Sequence, residues 1–438
     1  MNVYIESLGC FKNRADTEKL VNKLIQHDIA IVSDPNESNI IIINTCGFIK
    51  PAVEESIERI LELAKYKEKG IKLVAFGCMI ERYKDEINHL IPELDFTIGI
   101  NNFEKLISYL LINKGRNLHN LLSKKDEYII TNLPYYSYVK IADGCNNRCS
   151  YCIIPFIKGD LKSVKLDNVK SSVKKLINMG VKEINIVAQD ITKYGIDIYG
   201  EYNLCILLDA ILNIDEDFYI RLLYLNPDGI EKNLLDLVKN ASKIIKYLDI
   251  PIQHASDKIL KMMNRKIDSI SLFKLFEKIR QNIPDLFLRT TAMVGFPGEN
   301  NYDFNKLLEF INTFNPEWAG FFRYYPEEGT PSYNFKGLVN KKIVDERLNI
   351  LEKTQINNIT QRFKNLIGTN IKVFIEKSLE KNLHNTNYTY SGRSLLQAPE
   401  IDGKCYIKVD NNIAINNFGP YNAVISDFKY PDIFVTLN

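Results

Sequence analysis

The pattern of apolar and polar positions changes period several times along the chain. In the first ~120 residues, short apolar runs at 3–7, 39–44 and 72–76 alternate with stretches of helical spacing at 16–26, 52–64 and about 81–90. The isoleucines Ile40 to Ile43 carry no polar partner positions, which predicts a strand covered on both faces. A βαβαβ rhythm of this kind predicts a parallel sheet with helices on its faces. Residues 114–133 are polar and weakly patterned, and a domain boundary is expected there.

From Tyr136 the alternation restarts and runs to about Tyr325. Strands are predicted at 138–142, 183–188, 219–223, 247–250, 287–294 and 320–324, with helices between them, for example at 169–179 and 272–281. Six such units predict a partial (β/α)6 barrel whose functional face lies at the strand C-termini. A long charged helix is expected at 341–364. After Gly368, short β-runs at 371–376, 388–392, 405–409 and 423–428 predict a small all-β module. The expected fold class is therefore α/β with a C-terminal β-barrel, divided as 1–118, 131–362 and 367–438.

Composition narrows the picture only slightly. Hydrophobic residues make up 45% and charged residues 25%, and the formal net charge is +2, so bulk charge gives no push towards nucleic acid. No run approaches the ~18–20 apolar residues of a membrane-spanning helix. The start lacks a basic region followed by an apolar stretch, so a cytoplasmic protein is expected, with no membrane partner. In that compartment eight cysteines are not a disulfide framework. They are core residues or ligands.

Their spacing separates them into two sets. Cys145, Cys149 and Cys152 form C-x3-C-x2-C directly after the first strand of the second region. The loop also holds Gly144, Asn146, Asn147 and Arg148, which do not suit a hydrophobic core. Three thiolates on a four-iron cluster leave one iron open to a small chelating ligand. Zinc is an alternative, but it needs a fourth ligand, and no further Cys or His is near in sequence. Cys10, Cys46 and Cys78 are far apart, yet each lies just past a predicted strand and beside a glycine. In a parallel sheet the strand C-termini share one edge, where ligands bind. The three are expected to meet there, against the plain alternative of three buried core cysteines. Cys205 lies among Leu204, Ile206, Leu207 and Leu208 and reads as core.

The C-x3-C-x2-C loop resembles that of the radical S-adenosylmethionine superfamily. With Cys10, Cys46 and Cys78 added, the whole chain resembles the methylthiotransferase family within it. The resemblance implies two [4Fe-4S] clusters, one held by Cys145, Cys149 and Cys152 and one by Cys10, Cys46 and Cys78. It implies S-adenosyl-L-methionine as cofactor, with contacts from Gln189, Asp190, Arg289, Gly295, Pro297 and Gly298. His254, in Pro251-Ile252-Gln253-His254, is given no catalytic role. Residues 7–18, SLGCFKNRADTE, resemble the ribosomal-protein branch, as do residues 44–49, Gly392-Arg393-Ser394 and residues 398–403. The C-terminal module resembles a TRAM domain.

That branch implies a methylthio group placed on the β-carbon of an aspartate in small-subunit ribosomal protein S-twelve, free or in the small ribosomal subunit. An electron donor such as flavodoxin or ferredoxin is implied, and tRNA is not expected. Two departures stand out. The family tends to have arginines after the Cys loop, where this chain has Lys158, Lys162 and Lys165, and it tends to have Glu where this chain has Ser172. Lysine keeps the charge but not the planar fork. Residues 367–438 hold seven basic and seven acidic residues, and Glu400 and Asp402 share a predicted turn, which suits a basic target better than RNA. A tRNA methylthiotransferase and a non-catalytic iron–sulfur carrier are the alternatives.

Overall fold

The computed structural model describes all residues except 85, 101, 114–134, 380–387, 410–412, 414, 416 and 438. The boundary expected at 114–133 lies outside the described residues. Two compact units emerge: Met1–Met179 with Val187–Gln189 and Tyr325–Tyr333, and Gly180–Ile186 with Asp190–Tyr324 and Asn334–Asn438.

The first unit contains β1 (Asn2–Ser7), α1 (Phe11–Gln26), β2 (Ala30–Val32), β3 (Ile40–Thr45), α2 (Lys50–Ala64), β4 (Lys72–Gly77), α3 (Cys78–Arg82), α4 (Ile87–Leu90), β5 (Phe96–Ile98) and α5 (Phe103–Asn113). It continues with β6 (Tyr136–Lys140), β7 (Ala142–Asp143), α6 (Ile154–Lys158), β8 (Lys162–Ser163) and α7 (Leu166–Asn178). Its five-stranded sheet runs β2-β1-β3-β4-β5, and every pair is parallel. The isoleucine strand β3 is central and buried at every position, because one face packs against α1 and α5 residues and the other against α2 and α3 residues. Such two-sided burial is what an unbroken β-branched run requires.

Three local expectations differ from the structure. Helix α1 begins at Phe11, not Asp16. Cys10 is its extended N-cap, and the early turn buries Phe11, Asn13 and Ala15, with Phe11 stacked on Tyr138 at 4.9 Å. The helix expected over 81–90 is two pieces, α3 and α4. The strands β2 and β5 and the helix α5 had no counterpart in the hydrophobic pattern.

The second unit holds β9 (Glu183–Val187, all but its last residue), α8 (Ile196–Tyr199), α9 (Leu204–Leu212), β10 (Tyr219–Leu222), α10 (Lys232–Asn240), β11 (Ile244–Asp249), α11 (Asp257–Met262) and α12 (Ser269–Asn282). Then come β12 (Phe287–Val294), α13 (Asn301–Phe314), β13 (Trp318–Arg323), α14 (Lys341–Lys364), β14 (Asn370–Ser378), β15 (Tyr390–Ser394), β16 (Cys405–Lys408), β17 (Tyr421–Lys429) and β18 (Asp432–Leu437). Strands β9 to β13 are parallel and in chain order. The last five strands close a barrel in the order β14-β15-β16-β18-β17. β18 was not expected. It alternates half-buried and buried residues and closes the barrel by pairing with both β16 and β17.

Buried charge fastens that barrel to the parallel strands. Glu183 of β9 receives Arg221 at 2.8 Å and Arg393 at 2.6 Å, with all three side chains nearly inaccessible. Asp402 accepts from Tyr247 Oη at 2.5 Å and from Arg289 Nη1 at 2.5 Å. Asp402 is therefore buried and already paired, and only Glu400 of that acidic turn is exposed. The turn is no acidic surface for a basic partner. No helix among the described residues is long and apolar enough to cross a membrane.

Candidate iron–sulfur and cofactor site

The parallel register of β1, β3 and β4 sets Ser7 beside Asn44 and Thr45 beside Gly77. The chain therefore leaves all three strands at one edge, and Cys10, Cys46 and Cys78 follow immediately. Gly9 sits in the left-handed region at φ +84°, and a Cβ there would lie 2.9 Å from the Cys46 sulfur. A Cβ on Gly47 would lie 2.7 Å from the Met79 backbone, next to Cys78. Only glycine allows approaches this close.

Asn13 ties the three strand ends together. Its Nδ2 donates to Leu8 O at 3.1 Å and Thr45 O at 3.2 Å, and its Oδ1 accepts from the Cys78 thiol at 3.5 Å. Asn44 Nδ2 donates back to Asn13 O at 2.7 Å. Ser56 of α2 exchanges hydrogen bonds with the Cys46 backbone, both at 3.1 Å. Burial pushes the Cys46 thiol up to about 11, and Cys10 adds to it. Burial pushes Cys78 up to about 12, partly offset by Lys158. Thiols so placed stay protonated unless a cation joins them.

The second set stands on one loop. Gly144, at φ +68°, lets the loop lie on the segment after α6, since a Cβ there would be 2.0 Å from Asp160 O. Cys145 N donates to Gly159 O at 3.1 Å, and Leu161 N donates to Asn146 Oδ1 at 3.1 Å. Cys152 N donates to Cys149 O at 3.0 Å, closing the turn before α6. Burial pushes the Cys152 thiol up to about 12, with Cys149 the next cause. All six cysteines of the two sets belong to the first unit.

The two sets touch the same elements. Cys78 packs with Ile153 and Ile157, which follow Cys152. Lys12, in the first turn of α1, is a minor favourable charge for both the Cys46 and the Cys152 thiol. Glu327 accepts from Lys50 N at 2.7 Å and from Arg82 at 2.8 Å, while Arg82 also donates to Gly47 O at 3.0 Å. Ser332 N donates to Ser150 O at 2.8 Å, so the segment carrying Glu327 reaches the Cys loop as well.

The eight cysteines are free thiols. Cys205 is half-buried on α9, whose buried face is Leu204, Leu207, Leu208 and Ile211, so it is not the core residue expected. Among the described residues, no three of His, Cys, Asp and Glu are grouped to hold a single metal ion. A zinc site needs its ligands on one ion at about 2.0–2.3 Å. A four-iron cluster takes each thiolate on a separate iron.

The other candidate residues divide between the units. Gln189 lies in the first, and its Oε1 and Nε2 are buried without a hydrogen-bond partner. Such an amide is ready for a polar ligand, and it fits a cofactor. Asp190 lies in the second unit and caps Thr192, accepting from its N at 3.0 Å and its Oγ1 at 2.6 Å. Arg289 is paired with Asp402. A Cβ on Gly295 would meet Val344, and Gly298 N donates to Gly337 O at 2.8 Å, so both glycines serve packing next to Pro297. Gln253 holds a left-handed φ of +68° with its buried Oε1 unpartnered. Burial pushes the His254 imidazole down to about 3, and its Nδ1 accepts from Ser256 N at 3.0 Å, so it is a neutral structural group. Asn13, Arg82 and Glu327 were not singled out from sequence, and Lys158 was noted there only as a lysine where the family tends to have arginine. Only Asn13 and Lys158 lay within segments whose composition drew notice.

A parallel α/β core with a three-cysteine loop after its first strand defines a radical S-adenosylmethionine protein, and residues 139–311 match the radical SAM superfamily. Residues 2–99 match the uncharacterized protein family UPF0004, and residues 367–437 match the TRAM domain. Over its whole length the chain belongs to the ribosomal protein uS12 methylthiotransferase RimO family. It is 40% identical to the member from Carboxydothermus hydrogenoformans, covering 99% of this chain and 98% of that one. It is 41% identical to the member from a Thermoanaerobacter species, covering 95% and 96%. Among solved structures its fold is similar to the radical S-adenosylmethionine methyltransferase TsrM from Kitasatospora setae, with a TM-score of 0.57 at 12% identity, covering 76% and 75% of the two chains.

Proposed function

We propose that this chain is a radical S-adenosylmethionine methylthiotransferase that modifies the β-carbon of an aspartate in ribosomal protein uS12. The observation that carries the reading is the gathering of two cysteine triads in one compact unit. Cys145, Cys149 and Cys152 would hold the cluster that binds S-adenosyl-L-methionine, and Cys10, Cys46 and Cys78 the auxiliary one. Bound there, the two [4Fe-4S] clusters and the cofactor supply the electron, the hydrogen-abstracting radical, the sulfur and the methyl group. Residues 1–118, 131–362 and 367–438 act as auxiliary-cluster, radical and TRAM modules. The protein's own part is positioning. Asn13 takes the Cys78 thiol and Ser56 the Cys46 backbone, hydrogen bonds to 159–161 seat Cys145 and Asn146 of the Cys loop, and the unpartnered amide of Gln189 is a polar contact offered to the cofactor. The enzyme works in the cytoplasm with uS12, free or in the small subunit, and takes electrons from a flavodoxin- or ferredoxin-like donor rather than binding tRNA.

The test is anaerobic reconstitution of three proteins. Wild type should bind about eight irons. Cys145→Ala should lose about half of them together with all 5′-deoxyadenosine release. Cys46→Ala should lose the other half, still release 5′-deoxyadenosine, and add no methylthio mass to uS12. Unchanged iron in Cys46→Ala would sink the auxiliary site. Methylthio mass on tRNA instead of uS12 would move the enzyme to the tRNA branch, and no cofactor cleavage in wild type would make it an iron–sulfur carrier.

A further inference from the structure

Helix α6 is five residues long and starts just after Cys152. Ile153 and Ile157 pack with Cys78. The helix ends on Lys158, whose side chain is only 2% exposed. Burying an ammonium is costly unless it is paired. Lys158 Nζ meets Asp16 Oδ2 at 3.2 Å and Asp143 Oδ1 at 3.3 Å. Lys140 meets the same two carboxylates, contacting Asp16 closely and Asp143 at 2.8 Å. Asp16 lies on α1, which begins beside Cys10, and Asp143 lies two residues before Cys145. Two lysines and two aspartates thus form a neutral quartet that pins α1, β6, β7 and α6 to one another.

The two lysines are not equivalent. Lys140 stands on β6, whereas Lys158 ends α6, the helix whose Ile157 packs with Cys78. Lys158 is the foremost cationic influence on Cys78, whereas Asp16 opposes it. Removing Lys158 would leave two carboxylates against one lysine, a net negative charge beside a thiolate site. In a low-dielectric interior, that difference is felt over several ångströms.

We propose that Lys158 is a positioning residue for the auxiliary cluster: from the end of α6 it fixes the spacing between the Cys10–Cys46–Cys78 site and the Cys145 loop, and it holds a permanent positive charge beside Cys78. This rests on the two-cluster reading above. The experiment uses the reconstituted full-length enzyme and measures the midpoint potential of each cluster by electron paramagnetic resonance, together with the magnetic interaction between the two reduced clusters. In Lys158→Met, reduction of the auxiliary cluster should become harder. At a fixed poise its reduced-to-oxidised ratio should fall about tenfold, equal to about 59 mV for a one-electron couple. The cofactor-binding cluster should shift less, the magnetic interaction should change, and 5′-deoxyadenosine release should persist while methylthio transfer drops. Lys158→Arg should restore the potential. Lys140→Met, which breaks the same quartet from β6, should leave the auxiliary potential nearer wild type.

An unchanged auxiliary potential in Lys158→Met, equal shifts in both lysine variants, or equal iron loss from both clusters would overturn the proposal. If Lys158→Met aggregates, Lys158→Gln is measured against Lys158→Arg with the same criteria. About four irons in wild type refutes the two-cluster reading itself, whereas about eight irons with no response of the auxiliary potential to Lys158 refutes only the role of that residue.

Discussion

Cys145, Cys149 and Cys152 share one loop whose hydrogen bonds reach a segment fewer than twenty residues away, whereas Cys10, Cys46 and Cys78 come from three separate strand ends. The local loop closes with a backbone bond to Gly159 O and a bond from Leu161 N to the Asn146 side chain, and the ion pair beside it, Arg148–Asp160, is exposed. The distributed triad depends on long-range contacts: Asn13 on Thr45 and Cys78, and Glu327 on Lys50 and Arg82. A site assembled across a sheet exists only when the sheet, its helices and its braces are all in place. A site on one loop relies mainly on contacts close in sequence, with the bond from Ser332 N to Ser150 O as its long-range tie. The auxiliary site should therefore be the first to fail when packing is disturbed.

The largest expected effect comes from Glu327→Ala. Glu327 and Arg82 have side chains only 4% and 6% exposed, so the variant strands a buried guanidinium and removes the acceptor of Lys50 N. Breaking a buried pair from one side typically costs about 3–5 kcal/mol. The loss should be local, because Arg82 also braces Gly47 O, next to Cys46. Hydrogen exchange should accelerate at 46–50 and 78–82 more than at 145–152. Auxiliary-cluster iron should fall before the other cluster is touched. Uniform acceleration across both stretches would erase the distinction between the two sites.

Asn13→Ala should act in the same direction with a smaller effect. It removes the side-chain link among three strand ends and leaves a half-buried acceptor at Leu8 O and a buried one at Thr45 O with one partner fewer. A change of that kind costs about 1–3 kcal/mol. The variant should keep 5′-deoxyadenosine release and lose auxiliary iron in proportion to its destabilisation. Retention of both clusters at wild-type levels would show that the sheet alone gathers the three cysteines.

The same contrast explains what was legible in sequence. The C-x3-C-x2-C loop was plain because its ligands are neighbours. The convergence of Cys10, Cys46 and Cys78 could be argued only through the sheet, and the isoleucine run of β3 made that sheet visible because strands covered on both faces carry no polar positions. The start of α1 was hidden because its first turn buries the polar Asn13 and half-buries Lys12 and Arg14 between the buried Phe11 and Ala15. Hydrophobic periodicity cannot register them. Asp402 was misread for the same reason: its acidity suggests a surface, but Tyr247 and Arg289 bury it. Lys158 and Glu327 look like any charged residues, and only their partners, distant along the chain, reveal the buried pairs.

The smallest expected effect falls on the local site and completes the comparison. Asp160 accepts a close contact from Arg148, and the pair sits directly against the Cys145 loop. By position alone it would seem as important as Glu327. Its side chains, however, are 57% and 67% exposed, so water screens the attraction and already solvates both charges. Exposed pairs of this kind contribute about 0–1 kcal/mol, less at higher salt. The hydrogen bonds that hold the loop, Cys145 N to Gly159 O and Leu161 N to Asn146 Oδ1, do not involve the Asp160 side chain. Asp160→Asn should therefore retain both clusters, full cofactor cleavage and wild-type exchange at 145–152, with thermal stability changed by less than about 1 kcal/mol. Loss of the cofactor-binding cluster in this variant would mean that the local loop also depends on charge, and the two sites would then differ in sequence spacing but not in the way they are held.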